Sequence, residues 1–323
     1  MKLVIIGDVD LTHLNGPSSI IVSLLKGLKE NNVDYEFIQF KELKKIFKLL
    51  IRKDLIINVH VRGYKVPAII CLISKLNKHN KYYLTVHGIT SYEYKLNNLE
   101  LNLNKRKEEK YLYENFPNLI FVSNLEKELF NTLFNTKANK YVVNNGLNNY
   151  NNELINKSKH KFLYAGGYSD LKNPLECIEI FKEVTKIYPD ASLTMCGPII
   201  DNELYLKVKD KVNNLNIQVL DKVSKEELNK YYFESMFILA PSKFDTFNMT
   251  VLEAMNYGCI PIISNNCGVK ELIDGIIYKD INEITNKLKN ININELSNNN
   301  FNISLHNTYK DMTNNYLKVF NYL

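Results

Sequence analysis

The segment Phe237 to Ile273, FILAPSKFDTFNMTVLEAMNYGCIPIISNNCGVKELI, admits few folds. An apolar run, Phe237 to Ala240, stops at Pro241-Ser242, and a short polar loop follows. Helix-compatible residues run from about Asn248 to Tyr257, with Gly258 placed to end the helix. A second apolar run, Cys259 to Ser264, completes a strand–helix–strand unit. Such a unit leaves unpaired N–H groups at the helix start, beside the strand's carboxyl end, where phosphates and other anions bind. Two carboxylates bracket that point, Asp245 before the helix and Glu253 on it, in D-x7-E spacing. An acid beside a phosphate site suits hydrogen bonds from sugar hydroxyls, so the segment has the chemistry of a nucleotide-sugar site. An ordinary α/β unit with a solvated Glu253 shares the apolar pattern, but that pattern does not require Asp245, Phe247 and Glu253 together.

Taken in order, PS-x(2)-D-x-F-x(4)-LEAM-x(2)-G-x(2)-P-x(9)-EL resembles the signature of the retaining glycosyltransferases of family four, the group 1 glycosyl transferases, which have the GT-B fold. In that family the motif is usually E-x7-E, followed by EAM, G-x-P and a later G-x-x-E. Here Asp245 takes the first acidic position and Asn248 stands where a glycine is commonest. Gly258 and Pro261 are one residue further apart than in the commonest spacing. FLYAGG (Phe162–Gly167) followed by Lys172-Asn173-Pro174 resembles the family's G-R-x(4)-K motif, with Gly167 in the arginine's place. One of two expected phosphate cations is thus missing.

The resemblance implies an α/β fold of two doubly wound Rossmann-like domains facing across a cleft. Strand-like runs recur through each half: Lys2–Ile6, Tyr35–Phe40, Leu55–His60, Tyr82–His87, Leu119–Ser123 and Tyr141–Asn144, then Phe162–Ala165, Ser192–Cys196, Ile217–Leu220, Phe237–Ala240 and Ile260–Ser264. That alternation with helical segments argues for parallel sheets covered on both faces. The expected division is residues 1–150 as an acceptor-side domain and 151–307 as the donor-binding domain. The Asn-rich stretch Asn144–Lys159 is the expected linker. Thr308–Leu323, with Met312, Tyr316, Leu317 and Phe320 at helical spacing, resembles the last helix of GT-B enzymes, which crosses back onto the first domain.

The implied activity is retaining transfer of a hexosyl or N-acetylhexosaminyl group from a UDP- or GDP-sugar to an acceptor hydroxyl, in bacterial-type surface glycan or glycolipid assembly. Glu253 would accept the ribose hydroxyls, and Asp245 would orient hydroxyls of the transferred sugar. Lys172 and the backbone N–H groups of Phe247, Asn248 and Met249 would steady the leaving phosphate. Retention in this family is generally ascribed to front-face attack assisted by that phosphate, so no protein nucleophile is assigned. Gly16, in Gly16-Pro17-Ser18-Ser19 before the apolar-periodic Ile20–Leu28, matches a loop that closes over donor phosphates; an ordinary turn reads the same way. His87, after the run Leu84-Thr85-Val86, matches a histidine close to the transferred sugar, where a neutral imidazole donates a hydrogen bond. His60 also ends a strand and is read as structural or acceptor-facing.

No cofactor and no metal is expected, the nucleotide sugar being a co-substrate. Asp8-Val9-Asp10 has the DxD form of metal-binding glycosyltransferases of another fold, but its place after the first strand suits loop chemistry better. Two other functions stay open: a non-catalytic partner subunit or sugar-binding protein, and a nucleotide-sugar epimerase on a related scaffold. A dinucleotide oxidoreductase is disfavoured, because no G-x-G-x-x-G follows the first strand.

Composition fits these expectations. The 323 residues suffice for two domains, 45% of them hydrophobic and 24% charged. The chain enters a strand at Lys2 with no leader pattern, and the five cysteines lack CxxC pairs, as in a reduced cytoplasmic protein. Residues 1–150 carry 22 Lys/Arg against 14 Asp/Glu, a net +8, and the rest carry 19 against 21, a net −2. A basic first half suits an anionic partner such as the inner face of a membrane, or equally a solvated surface without one; nucleic acid is not expected. In KELKKIFKLLIRK (Lys41–Lys53), Leu43, Ile46, Phe47 and Leu50 form an apolar stripe flanked by Lys44, Lys45, Lys48 and Arg52. An interfacial helix has that pattern, and so does a helix packed on a sheet, which is the favoured reading.

Overall fold

A computed structural model describes residues 1–9, 16–61, 63–97, 99–151, 153–154 and 157–322. The chain forms two compact units, Met1–Asn148 with Asn307–Leu323, and Asn149–His306. Each is an α/β unit built on a six-stranded sheet whose strands pair in parallel.

In the first unit the strands are β1 (Lys2–Gly7), β2 (Tyr35–Gln39), β3 (Leu55–His60), β4 (Lys81–Thr85), β5 (Asn118–Phe121) and β6 (Asn139–Val142), in the order β2-β1-β3-β4-β5-β6. The second has β7 (Ser158–Ala165), β8 (Ser192–Cys196), β9 (Ile217–Val219), β10 (Ser235–Ala240), β11 (Ile260–Ser264) and β12 (Ile276–Tyr278), ordered β12-β11-β10-β7-β8-β9. Strands β3, β10 and β11 are buried along their whole length, which is why they read as unbroken apolar runs. The sequence did not announce β12, whose three residues are too short to show a period.

Both sheets contain a point where the winding reverses, between β1 and β3 in the first and between β7 and β10 in the second. Helices diverge there, leaving a crevice outside the carboxyl ends of the strands. Phe162 on β7 and Phe237 on β10 are register partners, with ring centroids 4.6 Å apart and planes 10° apart. This cross-strand pair fixes the two strands that flank the second crevice.

The expected linker is shorter than its composition suggested. Val143 and Leu147 are buried, and Leu147 bonds through its backbone to Asn307 and Tyr309, so the first unit keeps the chain as far as Asn148. Beyond that return point the helix Tyr309–Phe320 starts with a capping box between Thr308 and Asp311 and buries Met312, Tyr316, Leu317 and Phe320.

The helix at Leu43–Lys48 is only six residues long. Of the expected stripe only Ile46 is buried, joined by Leu49, while Leu43, Phe47 and Leu50 are exposed and Ile51 is 79% exposed. The chain leaves the helical path after Lys48, and Asn77 Nδ2 secures the turn by donating to the carbonyls of Leu49, Leu50 and Arg52. The packed-helix reading therefore fails for most of the stripe.

Gly27 faces Thr313 where the helix Gly16–Glu30 meets the helix Tyr309–Phe320; a Cβ at that position would lie 2.0 Å from Thr313 Oγ1 and 2.8 Å from its Cβ. Gly27→Val should therefore destabilise the protein by about 1–3 kcal/mol through overpacking, and Thr313→Gly should restore part of the loss. Urea unfolding of the three variants measures this; a stability equal to wild type in Gly27→Val would refute the close packing.

Candidate functional site

The loops after β7 and β10 meet at the crevice of the second unit. Lys243 N–H donates to the Leu171 carbonyl at 2.8 Å, tying one loop to the other. Lys172 Nζ then lies 2.5 Å from Asp245 Oδ2, with the Asp245 side chain 11% exposed. The other oxygen, Oδ1, accepts the Phe247 N–H at 3.2 Å. Backbone bonds from Gly268 to Asp245 and from Val269 to Phe247 hold the loop against the segment after β11. Asp245 thus organises the loop and aims Lys172, and the Phe247 amide is already engaged. The expectation that Phe247 offers its N–H to a phosphate is corrected: an Asx-type turn uses it.

Asn248 adopts left-handed backbone angles, φ +73 and ψ 78, and caps the helix Met249–Met255. Its Oδ1 accepts from the Thr250 hydroxyl at 2.7 Å and from the Val251 N–H at 3.4 Å. Asparagine tolerates this conformation and adds a cap that glycine lacks, which explains its presence where the resemblance has glycine. The helix stops through Gly258, whose φ of +75 suits a residue without Cβ. Met249 is the first helical residue, and its N–H has no carbonyl one turn back.

Glu253 lies on the same helix, partly exposed. Its Oε2 accepts from the Tyr232 hydroxyl at 3.1 Å and pairs with Lys225 Nζ at 2.7 Å. Burial, and then the charge of Glu253, raises the Tyr232 pKa well above the ordinary phenol value, so the hydroxyl stays a donor. Among the described residues Oε1 has no partner, so it can accept a hydrogen bond from a ligand.

Gly167 carries no cation, and a Cβ there would come within 3.2 Å of Ile200 Cγ1. Lys243, on the loop after β10, is a second cation at this crevice, paired with Asp170 at 2.7 Å. Sequence reasoning missed Lys243, Lys225 and Tyr232. The 225/232 spacing of two helical turns, which puts both on one face, was the available signal for the last two.

His87 and Gly16 belong to the first unit, the other predicted site residues to the second. Gly16 stands at the start of the helix Gly16–Glu30, and among the described residues a side chain there would meet nothing within 4 Å. Of the Asp8-Val9-Asp10 triplet, Asp10 lies outside the described residues. Among the described residues no group of three His, Cys, Asp or Glu is placed to hold a metal ion.

His87 lines a pocket of about 560 Å³ with Tyr64, Lys65, Thr90, Glu93 and Lys105. Burial lowers its pKa to about 4, so the imidazole is neutral at ordinary pH. The pocket presents both charge signs and hydroxyls, a lining suited to a polyhydroxylated ligand. All five cysteines are buried, and burial raises the thiol pKa at each, so they are inert core residues.

Residues 148–278 match the family model described as glycosyl transferases group 1. An uncharacterized glycosyltransferase of Methanocaldococcus jannaschii is 27% identical over 263 residues, 72% of this chain and 62% of that protein. A Klebsiella pneumoniae protein of the cps region is 26% identical over 147 residues, 42% of this chain and 37% of that one. The matches thus span less than two thirds of either relative. Among solved structures, sucrose-phosphate synthase from Thermosynechococcus elongatus superimposes with a TM-score of 0.76 at 13% identity, covering 100% of this chain and 99% of that one. Anabaena HepE in complex with UDP and glucose gives 0.69 at 11% identity, covering 99% and 100%. The fold is accordingly the two-domain Rossmann-like arrangement of GT-B glycosyltransferases. Residues 148–278, which carry Lys172, Asp245 and Glu253, are thus similar to the group 1 glycosyl transferases.

Proposed function

We propose that this chain is a retaining glycosyltransferase that moves a sugar from a nucleoside diphosphate to an acceptor hydroxyl. The observation that carries the reading is the cluster at the β7/β10 crevice: Lys172 held by Asp245, with Glu253 one helix away held by Lys225 and Tyr232. Glu253 Oε1 accepts a ribose hydroxyl while Oε2 is pinned, which gives the diol a fixed partner. Lys172 has three ammonium hydrogens, so it keeps Asp245 and turns another toward a diphosphate oxygen. Lys243 takes the place of the cation that Gly167 leaves out. The Met249 N–H at the helix start completes the phosphate contacts, and Asp245 keeps lone pairs for a hydroxyl of the transferred sugar.

In the transfer, the bond from the anomeric carbon to the diphosphate oxygen breaks and a bond to the acceptor oxygen forms on the same face. The acceptor proton leaves with the diphosphate, whose charge Lys172 and Lys243 stabilise. UDP is the favoured nucleotide, because Anabaena HepE binds UDP and UDP-glucose on the same fold. A surface-glycan acceptor is supported by the Klebsiella relative from a cps region.

The reading is tested with a panel of nucleotide sugars, measuring diphosphate release and glycosidic product, with and without EDTA. Transfer from one UDP- or GDP-sugar that persists in excess EDTA is expected, since fixed cations replace a metal at the diphosphate. An isomerised donor, or no turnover with any donor, rejects the reading; loss in EDTA restored by Mn²⁺ or Mg²⁺ rejects the phosphate assignment.

Glu253→Gln should weaken nucleotide binding by about 1.5–3 kcal/mol, roughly 10- to 150-fold in Kd, as for a lost charge-assisted bond. Tyr232→Phe should weaken it in the same direction by less, because Lys225 still holds the carboxylate. Calorimetry with UDP and GDP decides; unchanged affinity in folded Glu253→Gln removes this residue from the site.

The exposed apolar side chains Leu43, Phe47, Leu50 and Ile51, interspersed in sequence with Lys41, Lys44, Lys48 and Lys53, fit peripheral docking on an anionic membrane. Among the described residues no helix is long and apolar enough to cross one. Each cation near such a surface contributes about 1 kcal/mol, weakening as salt shortens the screening length. Lys44→Glu, Lys45→Glu and Lys48→Glu together should abolish sedimentation with phosphatidylserine vesicles and leave nucleotide binding intact. If wild type ignores such vesicles at low salt, the membrane reading is wrong.

A further inference from the structure

Behind the pocket of the first unit lies a row of polar groups that the donor chemistry does not use. Tyr316, Thr85, Asn58 and His60 are all fully buried, and the row ends at half-buried His87. The Tyr316 hydroxyl donates to Thr85 Oγ1 at 3.4 Å, and Thr85 Oγ1 donates to Asn58 Oδ1 at 3.0 Å. Asn58 Nδ2 lies 3.0 Å from His60 Nε2, and His60 Nδ1 lies 3.0 Å from His87 Nε2. The two imidazole centroids are 5.2 Å apart with planes 23° apart. That separation matches the 3.0 Å contact plus the two ring radii, so the bond runs edge to edge, near both ring planes, and is not a face stack.

We propose that this relay fixes His87 as the neutral tautomer protonated on Nδ1, and that His60 is a positioning residue. The pocket then receives a hydrogen-bond donor at His87 rather than an acceptor. The direction follows from counting protons. Thr85 has one hydroxyl hydrogen, and because the Tyr316 hydroxyl spends its own on Thr85 Oγ1, Asn58 Oδ1 is the acceptor left for it among the described residues. Asn58 must therefore turn its amide nitrogen toward His60, which makes His60 Nε2 the acceptor and leaves the proton on Nδ1. That proton goes to His87 Nε2, so the proton of His87 sits on Nδ1. Reversing the amide would turn the Thr85 hydrogen to the Tyr316 oxygen and strand the Tyr316 hydrogen in a fully buried place, a loss that the first order avoids. Burial lowers the pKa of both histidines, so both rings are neutral and the one-way order is kept.

No described residue accepts from His87 Nδ1, so its proton is available to a ligand oxygen in the pocket. The ligand class is a sugar, offering hydroxyl or ring-oxygen lone pairs. This step rests on the proposed glycosyl transfer; the tautomer does not.

Histidine-selective ¹⁵N labelling and long-range ¹H–¹⁵N correlation on the full chain report the tautomers directly, with His60 and His87 assigned by substitution. Wild type should show both rings protonated on Nδ1 between pH 6 and 8. His60→Gln, whose amide can accept from Asn58 and donate to His87, should preserve the His87 tautomer. His60→Leu should release it into a mixture, and kcat for transfer should fall about tenfold with nucleotide affinity unchanged, as for one lost oriented hydrogen bond. His87 protonated on Nε2 in wild type, or a pure Nδ1 tautomer persisting in His60→Leu, would overturn the relay. If His60→Leu does not fold, wild type and His60→Gln still decide. A wild type with the expected tautomers but no transfer counts against the function alone.

Discussion

The pairing of β7 with β10 governs the chemistry of the second unit. Those strands lie 70 or more residues apart in sequence, and stacking of Phe162 on Phe237 holds them in register. Only because they are neighbours do the loops that follow them share one crevice. A lysine from the first loop and an aspartate from the second then become an ion pair. The helix start, its asparagine cap and Glu253 are carried on the same frame. A slip by one residue in this pair would turn every side chain of one strand to the opposite face and part the two loops.

The polar groups around that crevice are matched before any ligand arrives. Asp245 holds Lys172, Asp170 holds Lys243, and Lys225 with Tyr232 holds Glu253. Partly exposed pairs of this kind add little to stability, because water screens them and side-chain ordering opposes them. Their effect is to restrict rotamers, so that cations and carboxylate meet a ligand in defined positions and less ordering remains to be done on binding. The same economy of conformations is seen at His87, whose ring is set by a buried row instead of by a surface partner.

Much of the architecture was legible in the chain. The burial of β3, β10 and β11 on both faces leaves uninterrupted apolar runs, and the spans Leu55–His60, Ser192–Cys196 and Ile260–Ser264 read off the sequence coincide with strands. Lys172, Asp245 and Glu253 could be picked out because their residue types and spacing match a known motif. What could not be read were partners supplied by distant segments. Tyr232 reaches Glu253 only after β10 folds between them, and Tyr316 reaches Thr85 across 231 residues. The amphipathic pattern at Lys41–Lys53 misled for a different reason. Periodicity assumes a continuing helix, and here the helix ends at Lys48, so Leu50 and Ile51 fall off the period.

The return of residues 307–323 to the first unit has a consequence for synthesis. The second unit is contiguous in sequence, whereas the first lacks an interior helix until residues 309–320 have been made. At about 5–20 residues per second, the ribosome adds those residues roughly ten to thirty seconds after Asn148. Throughout that interval Gly27 has no Thr313 to pack against and Glu30 no Tyr309 hydroxyl to accept from, and the hydroxyl that starts the row ending at His87 does not yet exist. The half that is translated first is therefore the half that matures last. A nascent chain halted before Tyr309 would carry a finished second unit and an incomplete first one, a natural substrate for chaperones.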